Sequence, residues 1–262
     1  MTTGLLAGRV GIVSGIGPGL GRSVALAFAR EGADVVLAAR TAAALDEAAA
    51  AVRECGRRAL ALPTDVARPE DCARLAKAAH AEFGRIDVLV NNAFRSVPYD
   101  LVAEASMDDW RKIFDVNVFG SIQLSQAVVP HMKAAGGGSI VMINSMSTRI
   151  IEPRFGGYAA SKGALMIAMQ TMAKELGGDR IRVNAVVPGY IWGPALEGYF
   201  RKLATEQGTT PEAVYGEIAS RTALNHLPDS DEIADAVVFF ASDLSRAITG
   251  QALDVNGGHY FH

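Results

Sequence analysis

Short β-branched runs alternate with longer alanine-rich segments of helical period along this chain, and that rhythm leaves few folds open. Strand-like runs at residues 9–14, 34–39, 58–62, 86–90, 139–144 and 181–187 are separated by helical patterns that begin near residues 20, 42, 70, 107 and 158. Each unit must return the chain to the same end of the sheet, so the strands run parallel and the helices cover both faces. The expected architecture is α/β: one doubly wound domain over residues 1–262 with about seven strands. With half of the residues apolar and no linker or repeat, a single core is expected. The rhythm lapses after residue 187 and resumes with a last helix near Asp231 and a last strand near Ala252. Residues 188–229 are read as an insertion at the carboxyl edge of the sheet, where it can act as a lid over a substrate site.

Directly behind the first strand comes Ser14-Gly15-Ile16-Gly17-Pro18-Gly19-Leu20-Gly21. Glycines at a first βα crossing let the backbone turn tightly and approach a diphosphate, which the free N–H groups of the following helix attract. Leu20 occupies the third glycine position of an ordinary GxGxxG counted from Gly15, and the spacing instead fits GxxxGxG through Gly15, Gly19 and Gly21. Further along stands Tyr158-Ala159-Ala160-Ser161-Lys162, whose (i, i+4) spacing stacks a phenol and an ammonium on one helix face. Ser145 precedes Tyr158 by 13 residues at the end of the fifth strand, and Asn117 lies within Asp115-Val116-Asn117-Val118 on the preceding long helix.

In this order the motifs resemble those of the short-chain dehydrogenase/reductase family, and the likeness runs from Gly8 to Gly258. The resemblance implies a Rossmann fold, NAD(P) as cofactor, and Asn117, Ser145, Tyr158 and Lys162 as the catalytic tetrad. It also implies cofactor contacts from Gly15, Gly19, Leu20, Gly21, Asp65-Val66, Asn92-Ala93, Tyr158, Lys162, Pro188, Gly189 and Ile191. Three positions depart from the family pattern: Phe94 stands where glycine is usual, Asn144 where another serine is common, and Gly193 where a threonine usually bonds the nicotinamide carboxamide.

The chemistry asks for these residue types. Reducing a carbonyl needs hydride on carbon and a proton on oxygen, and a free phenol, with a pKa of about 10, exchanges that proton poorly near neutrality. An ammonium about 4.5 Å away, at an effective dielectric of about 20, favours phenolate by roughly 3.7 kcal/mol, which predicts a Tyr158 pKa of about 7 to 8. Ser145 would donate to the carbonyl oxygen as negative charge develops there. By resemblance Lys162 also holds the nicotinamide ribose, and Asn117 holds a water that links the lysine to solvent.

Arg40 follows Gly21 by 19 residues, where dinucleotide folds that use NAD usually carry an acid for the ribose 2′-hydroxyl. A guanidinium there pairs with a 2′-phosphate, so NADP(H) is the preferred cofactor, with NAD(H) the second choice; Pro18 supplies no further cation. Phe94, Met146, Phe155, Tyr190, Trp192, Tyr199 and Phe200 cluster in segments expected near the site, which suggests an apolar or cyclic carbonyl or alcohol unless they merely pack the lid.

Other classes find little support. The charge of -3 and the lack of any block of like charges argue against nucleic acid and against an anionic membrane surface as partners. Cys55 and Cys72 have neither CxxC spacing nor neighbouring histidines, so no metal site or disulfide framework is expected, and reduced thiols fit a cytoplasmic protein. A serine hydrolase would need a GxSxG elbow and a histidine after a strand, and neither is present. A dinucleotide-binding sensor or scaffold without turnover remains the second reading, and the intact tetrad disfavours it. Residues 116–130 and 163–173 carry no charge, so both helices need cover on their outer sides, which predicts a homodimer or homotetramer.

Overall fold

The computed structural model describes residues 4–96 and 99–261. Its centre is a parallel sheet of seven strands in the order β3-β2-β1-β4-β5-β6-β7, comprising β1 (Val10–Ser14), β2 (Asp34–Ala39), β3 (Ala59–Pro63), β4 (Val88–Asn91), β5 (Gly138–Ile143), β6 (Ile181–Pro188) and β7 (Ala252–Val255). The order reverses between β1 and β4, which opens a crevice at their carboxyl ends where such sheets bind ligands.

The five inner strands β1, β2, β4, β5 and β6 are buried on both faces, and their side chains divide by the period of two. Val35 and Leu37 of β2 point into the core under α1 (Leu20–Arg30), α2 (Ala42–Glu54) and α9 (Ser230–Ala241). Val36 and Ala38 point into the opposite core, under α3 (Pro69–Phe83), α5 (Ser121–Ala134) and α6 (Gly156–Leu176). No helix among the described residues is long and apolar enough to cross a membrane.

Two stretches differ from the sequence expectation. The long helix through Asn117 is broken in hydrogen-bond register: α4 (Met107–Phe114) passes through one π-helical turn, Asp115–Gly120, before α5 begins. Helical periodicity does not reveal such a turn, since it inserts one residue without ending the helix. The stretch 188–229 carries α7 (Pro194–Gln207) and α8 (Pro211–Ala219) around a small core of its own, in which Phe200 is fully buried beside Val214, Ile218 and Leu227. Its two ends meet, because the Trp192 N–H donates to Pro228 O at 2.8 Å. On the outer side of the second helical layer, Phe119 is 50% and Ile167 63% exposed.

Candidate active site

The glycine loop is shaped by two different demands. A Cβ at Gly15, whose φ is 74°, would lie 2.6 Å from the Ala93 backbone, and one at Gly21 would lie 2.4 Å from Gly15 O. Those two glycines let the loop close on itself and on β4. Gly17 has no atom within 4 Å of its absent Cβ, and Gly19 has only Ser230 Oγ at 3.9 Å, so their open side faces the crevice. Asn92 braces the turn, its Nδ2 donating to Ser14 O at 3.1 Å and Gly15 O at 2.9 Å. The loop thus offers bare backbone to a diphosphate at the N-terminus of α1, and these residues fit the group.

That crevice holds a cavity of about 650 Å³ lined by Gly15, Gly19, Leu20, Gly21, Asn92, Phe94, Ser145, Tyr158, Lys162, Pro188, Gly189, Ile191 and Trp192. A side cavity of about 230 Å³ takes in Arg40, Asp65, Val66 and Ala93 and shares Gly15, Asn92 and Phe94 with the first. The sequence reading did not single out Gly17, Arg22, Ser23 or the Asp229–Asp231 turn, which also line the larger cavity. The turn's place could be known only from the tertiary packing of α9 against α1. At Gly193 the backbone takes φ 158° and ψ -178°, a conformation glycine reaches without a side-chain clash, and the residue opens onto the same cavity.

Tyr158 is set by the start of α6. A Cβ at Gly157 would stand 3.0 Å from Trp110 Nε1, and one at Gly156 would stand 2.5 Å from Val102, so two glycines let the first turn of α6 close on α4. The helix therefore starts two residues before the phenol rather than at it. Phe155 and Phe94 meet the Tyr158 ring edge-on, at 5.9 and 6.5 Å between centroids. Ser145 accepts the Ser147 N–H on Oγ at 3.2 Å, so its single hydroxyl hydrogen is the group it can donate, to the Tyr158 phenol or to a substrate oxygen.

Burial pushes the Tyr158 phenol above its ordinary pKa, and a hydrogen bond with Ser145 pulls in the opposite direction. The expected pull from Lys162 is not found. Its Nζ lies 5.6 Å from the centre of the phenol ring and donates to Ile143 O at 2.7 Å. Burial also lowers the lysine's own pKa to about 8, so the cation meant to stabilise phenolate is itself weakened.

Asn117 does not reach the cavity. Its Oδ1 accepts the Arg95 N–H at 2.7 Å, and its Nδ2 donates to Arg95 O at 3.2 Å and to Ser161 Oγ at 3.0 Å. Both amide hydrogens are spent on protein partners, and the side chain fastens the loop after β4 to α6. Among the aromatic candidates, Trp192 lines the cavity, Phe200 belongs wholly to the small core, and half-exposed Tyr199 lies edge-near to it at 6.1 Å. Tyr190 stacks on His259 at 5.9 Å, and Met146 Sδ lies 3.4 Å from where a Gly189 Cβ would be.

Comparisons with known proteins place the chain in a family of this fold. A family model described as enoyl-(acyl carrier protein) reductase matches residues 15–260. The 7alpha-hydroxysteroid dehydrogenase of Escherichia coli (strain K12) is 33% identical over 253 residues, covering 97% of this chain and 94% of that protein. The crystal structure of carveol dehydrogenase from Mycobacterium avium in complex with NAD superposes with a TM-score of 0.92 at 31% identity, covering 98% of this chain and 99% of that one. L-Sorbose reductase from Gluconobacter frateurii, complexed with NADPH and L-sorbose, gives 0.91 at 31% identity, covering 99% and 98%.

Proposed function

The chain is a member of the short-chain dehydrogenase/reductase family and an oxidoreductase of alcohol and carbonyl groups that uses a nicotinamide dinucleotide; on that premise we propose that Tyr158 is its general acid/base in interconverting a secondary alcohol and the corresponding ketone. The observation that carries this reading is the convergence of Ser145, Tyr158 and Lys162 on the cavity that the glycine loop enters. When bound, the nicotinamide accepts or supplies the hydride. Tyr158 takes the alcohol proton or gives one to the carbonyl oxygen, while the Ser145 hydroxyl steadies the developing charge on that oxygen. Lys162, which lines the same cavity, would hold the nicotinamide ribose. Asn117 is a positioning residue through Arg95 and Ser161.

Three finer points belong to the same proposal. Arg40 lines the side cavity and favours NADP(H) over NAD(H). Phe94, the edge-on contact of Phe155 with Tyr158, and Trp192 favour an apolar or cyclic substrate, over which residues 188–229 form the lid. Exposed Phe119 and Ile167 support a homodimer or homotetramer, which light scattering behind a sizing column checks against the 27.6 kDa of one chain.

The deciding experiment pairs Tyr158→Phe with reduced-cofactor fluorescence. The variant is expected to bind cofactor as the parent does and to lose about a thousandfold or more in kcat on the best substrate of a steroid, cyclic, sugar and acyl-thioester carbonyl panel. Retention of a tenth of the parent turnover would overturn the assignment. Cofactor binding without oxidation by any carbonyl in the parent chain would favour the sensor reading.

A further inference from the structure

We propose that Asn144 is a positioning residue that holds Ser145 and Lys162 in one frame, so that the serine hydroxyl keeps its reach to the phenol of Tyr158; the inference rests on Tyr158 as the proton-transferring group. Asn144 follows the last residue of β5 and is 2% exposed. Its backbone N–H still pairs with the sheet, donating to Val186 O at 2.8 Å. The carboxamide reaches two ways: Oδ1 accepts the Ser145 N–H at 2.8 Å, and Nδ2 donates to Lys162 O at 3.1 Å. Among the described residues, no other acceptor is recorded for that Ser145 N–H. One planar group thus joins the edge of the sheet to α6 across 18 residues of sequence, and both of its partners belong to the reacting set.

A serine, the residue common at this position, is one bond too short to span the same gap with two opposed hydrogen bonds, since its single hydroxyl must serve both sides. The distinction between a tie of this kind and ordinary satisfaction of buried polar groups lies in what moves when it is cut. Loss of satisfaction alone lowers stability. Loss of the frame also lets Ser145 drift, and the serine is the group whose hydrogen bond opposes the upward push of burial on the phenol. The phenol then ionises at higher pH, and alcohol oxidation, which needs the phenolate, has its acidic limb displaced the same way.

The test compares Asn144→Ala and Asn144→Ser with the parent through the pH dependence of kcat for alcohol oxidation. A second measurement follows tyrosinate absorbance, with Tyr158→Phe subtracted to isolate the one phenol. Asn144→Ala is expected to lose about tenfold or more in kcat with KM for both substrates within about threefold, as a misplaced reacting group does. Its acidic limb and its phenol titration should both move up by about half a pH unit or more, with Asn144→Ser between it and the parent. Because Asn144 acts through Ser145, Ala at both positions should cost no more than Ser145→Ala alone. An unchanged limb and an unchanged phenol titration in either variant would overturn the proposal, whatever happens to Tm, and so would additive losses in the double variant. If Asn144→Ala fails to fold, Asn144→Ser carries the same comparison. Turnover retained by Tyr158→Phe would defeat the reading of Tyr158 instead, and the absorbance titration still answers for Asn144.

Discussion

Two cavities of similar size open at opposite edges of the sheet, about 650 Å³ at the carboxyl ends of the strands and about 590 Å³ at the amino ends. Volume does not tell them apart; the state of their polar groups does. At the amino edge Arg85 grips Asp87 with two hydrogen bonds, of 2.8 and 2.6 Å, and Arg9 pairs with Asp243 at 2.7 Å. Arg182 spends its guanidinium on Phe240 O, Ser242 O and Ser245 O, the carbonyls at and beyond the end of α9, at 3.0, 3.0 and 3.1 Å. Those cations close a helix C-terminus that would otherwise leave carbonyls unpaired. At the carboxyl edge the open sides of Gly17 and Gly19 and the Arg40 side chain have capacity to spare. Exposed Arg180 apart, which lines the amino-edge cavity with an unpaired guanidinium among the described residues, unspent bonding capacity rather than charge or volume separates the edge that works from the edge that holds.

The contrast is sharpest at Lys162, a cation buried at the working edge with one carbonyl for a partner. Lys162→Met is expected to cut kcat by about a thousandfold. The same change removes a poorly compensated buried charge, so unfolding free energy should fall by no more than about 1 kcal/mol, or should rise. The pH dependence fixes the sign. Folded Lys162 gives up its proton at about 8, against the ordinary 10.5, so between those values the unfolded chain binds more protons and the parent gains stability as pH rises, an increment that Lys162→Met lacks. Chemical denaturation of both chains across that interval measures the difference, and parallel curves would contradict it.

Arg182 is the mirror case. Burial and the nearby Arg9 lower its pKa, yet its hydrogen bonds gather the end of α9, the turn after it and the first residues of β6. Arg182→Met is expected to cost about 2–3 kcal/mol of unfolding free energy, the scale of charge-assisted hydrogen bonds lost from buried acceptors. Well below the midpoint of melting, kcat/KM should stay within about twofold of the parent, because no group at the working edge depends on it. A large loss of kcat in a variant that melts normally would break the comparison.

What the sequence disclosed follows the same division. The alternation of strand and helix was legible because the five inner strands are buried on both faces and read as short apolar runs between helical patterns. That Ser145, Tyr158 and Lys162 lie on one cavity was legible because their spacing is local: four residues within one helix, and a strand end just before it. The π-turn under Asn117 was not, since one extra residue in a hydrogen-bond register leaves the apolar pattern nearly intact. The behaviour of Lys162 was also hidden, because a Coulomb estimate from spacing takes no account of how far burial weakens the cation or that Ile143 O receives it. Gly156 and Gly157 looked like mere helix-start residues, and their purpose depends on Trp110 and Val102 arriving from a segment some 50 residues earlier, on the order of the separations that only tertiary packing sets.

The smallest effect expected concerns Arg40, which sits at the working edge with its side chain exposed and makes no hydrogen bond or ion pair among the described residues. It is the counterpart of Arg182: the same guanidinium, held free instead of fully spent. It lines the side cavity next to Thr41, and the side chain of Thr41 leaves the N-terminus of α2 uncapped. A 2′-phosphate placed there would meet a guanidinium and the first free N–H groups of a helix, whereas a bare 2′-hydroxyl gains little from either. One exposed charge-assisted contact is worth about 1.4 kcal/mol, so Arg40→Ala should lower kcat/KM for NADP about tenfold and leave that for NAD within about twofold. Arg40→Asp should go further, since an acid at this place repels the phosphate and accepts from the hydroxyl, reversing the preference. Stability should not change in either variant, because the folded chain makes no use of this side chain. Initial rates with both cofactors at limiting concentration measure the ratio. A parent chain with equal kcat/KM for the two, unchanged by Arg40→Ala, would show that free bonding capacity at the working edge does not by itself mark a contact, and the comparison between the two arginines would fail with it.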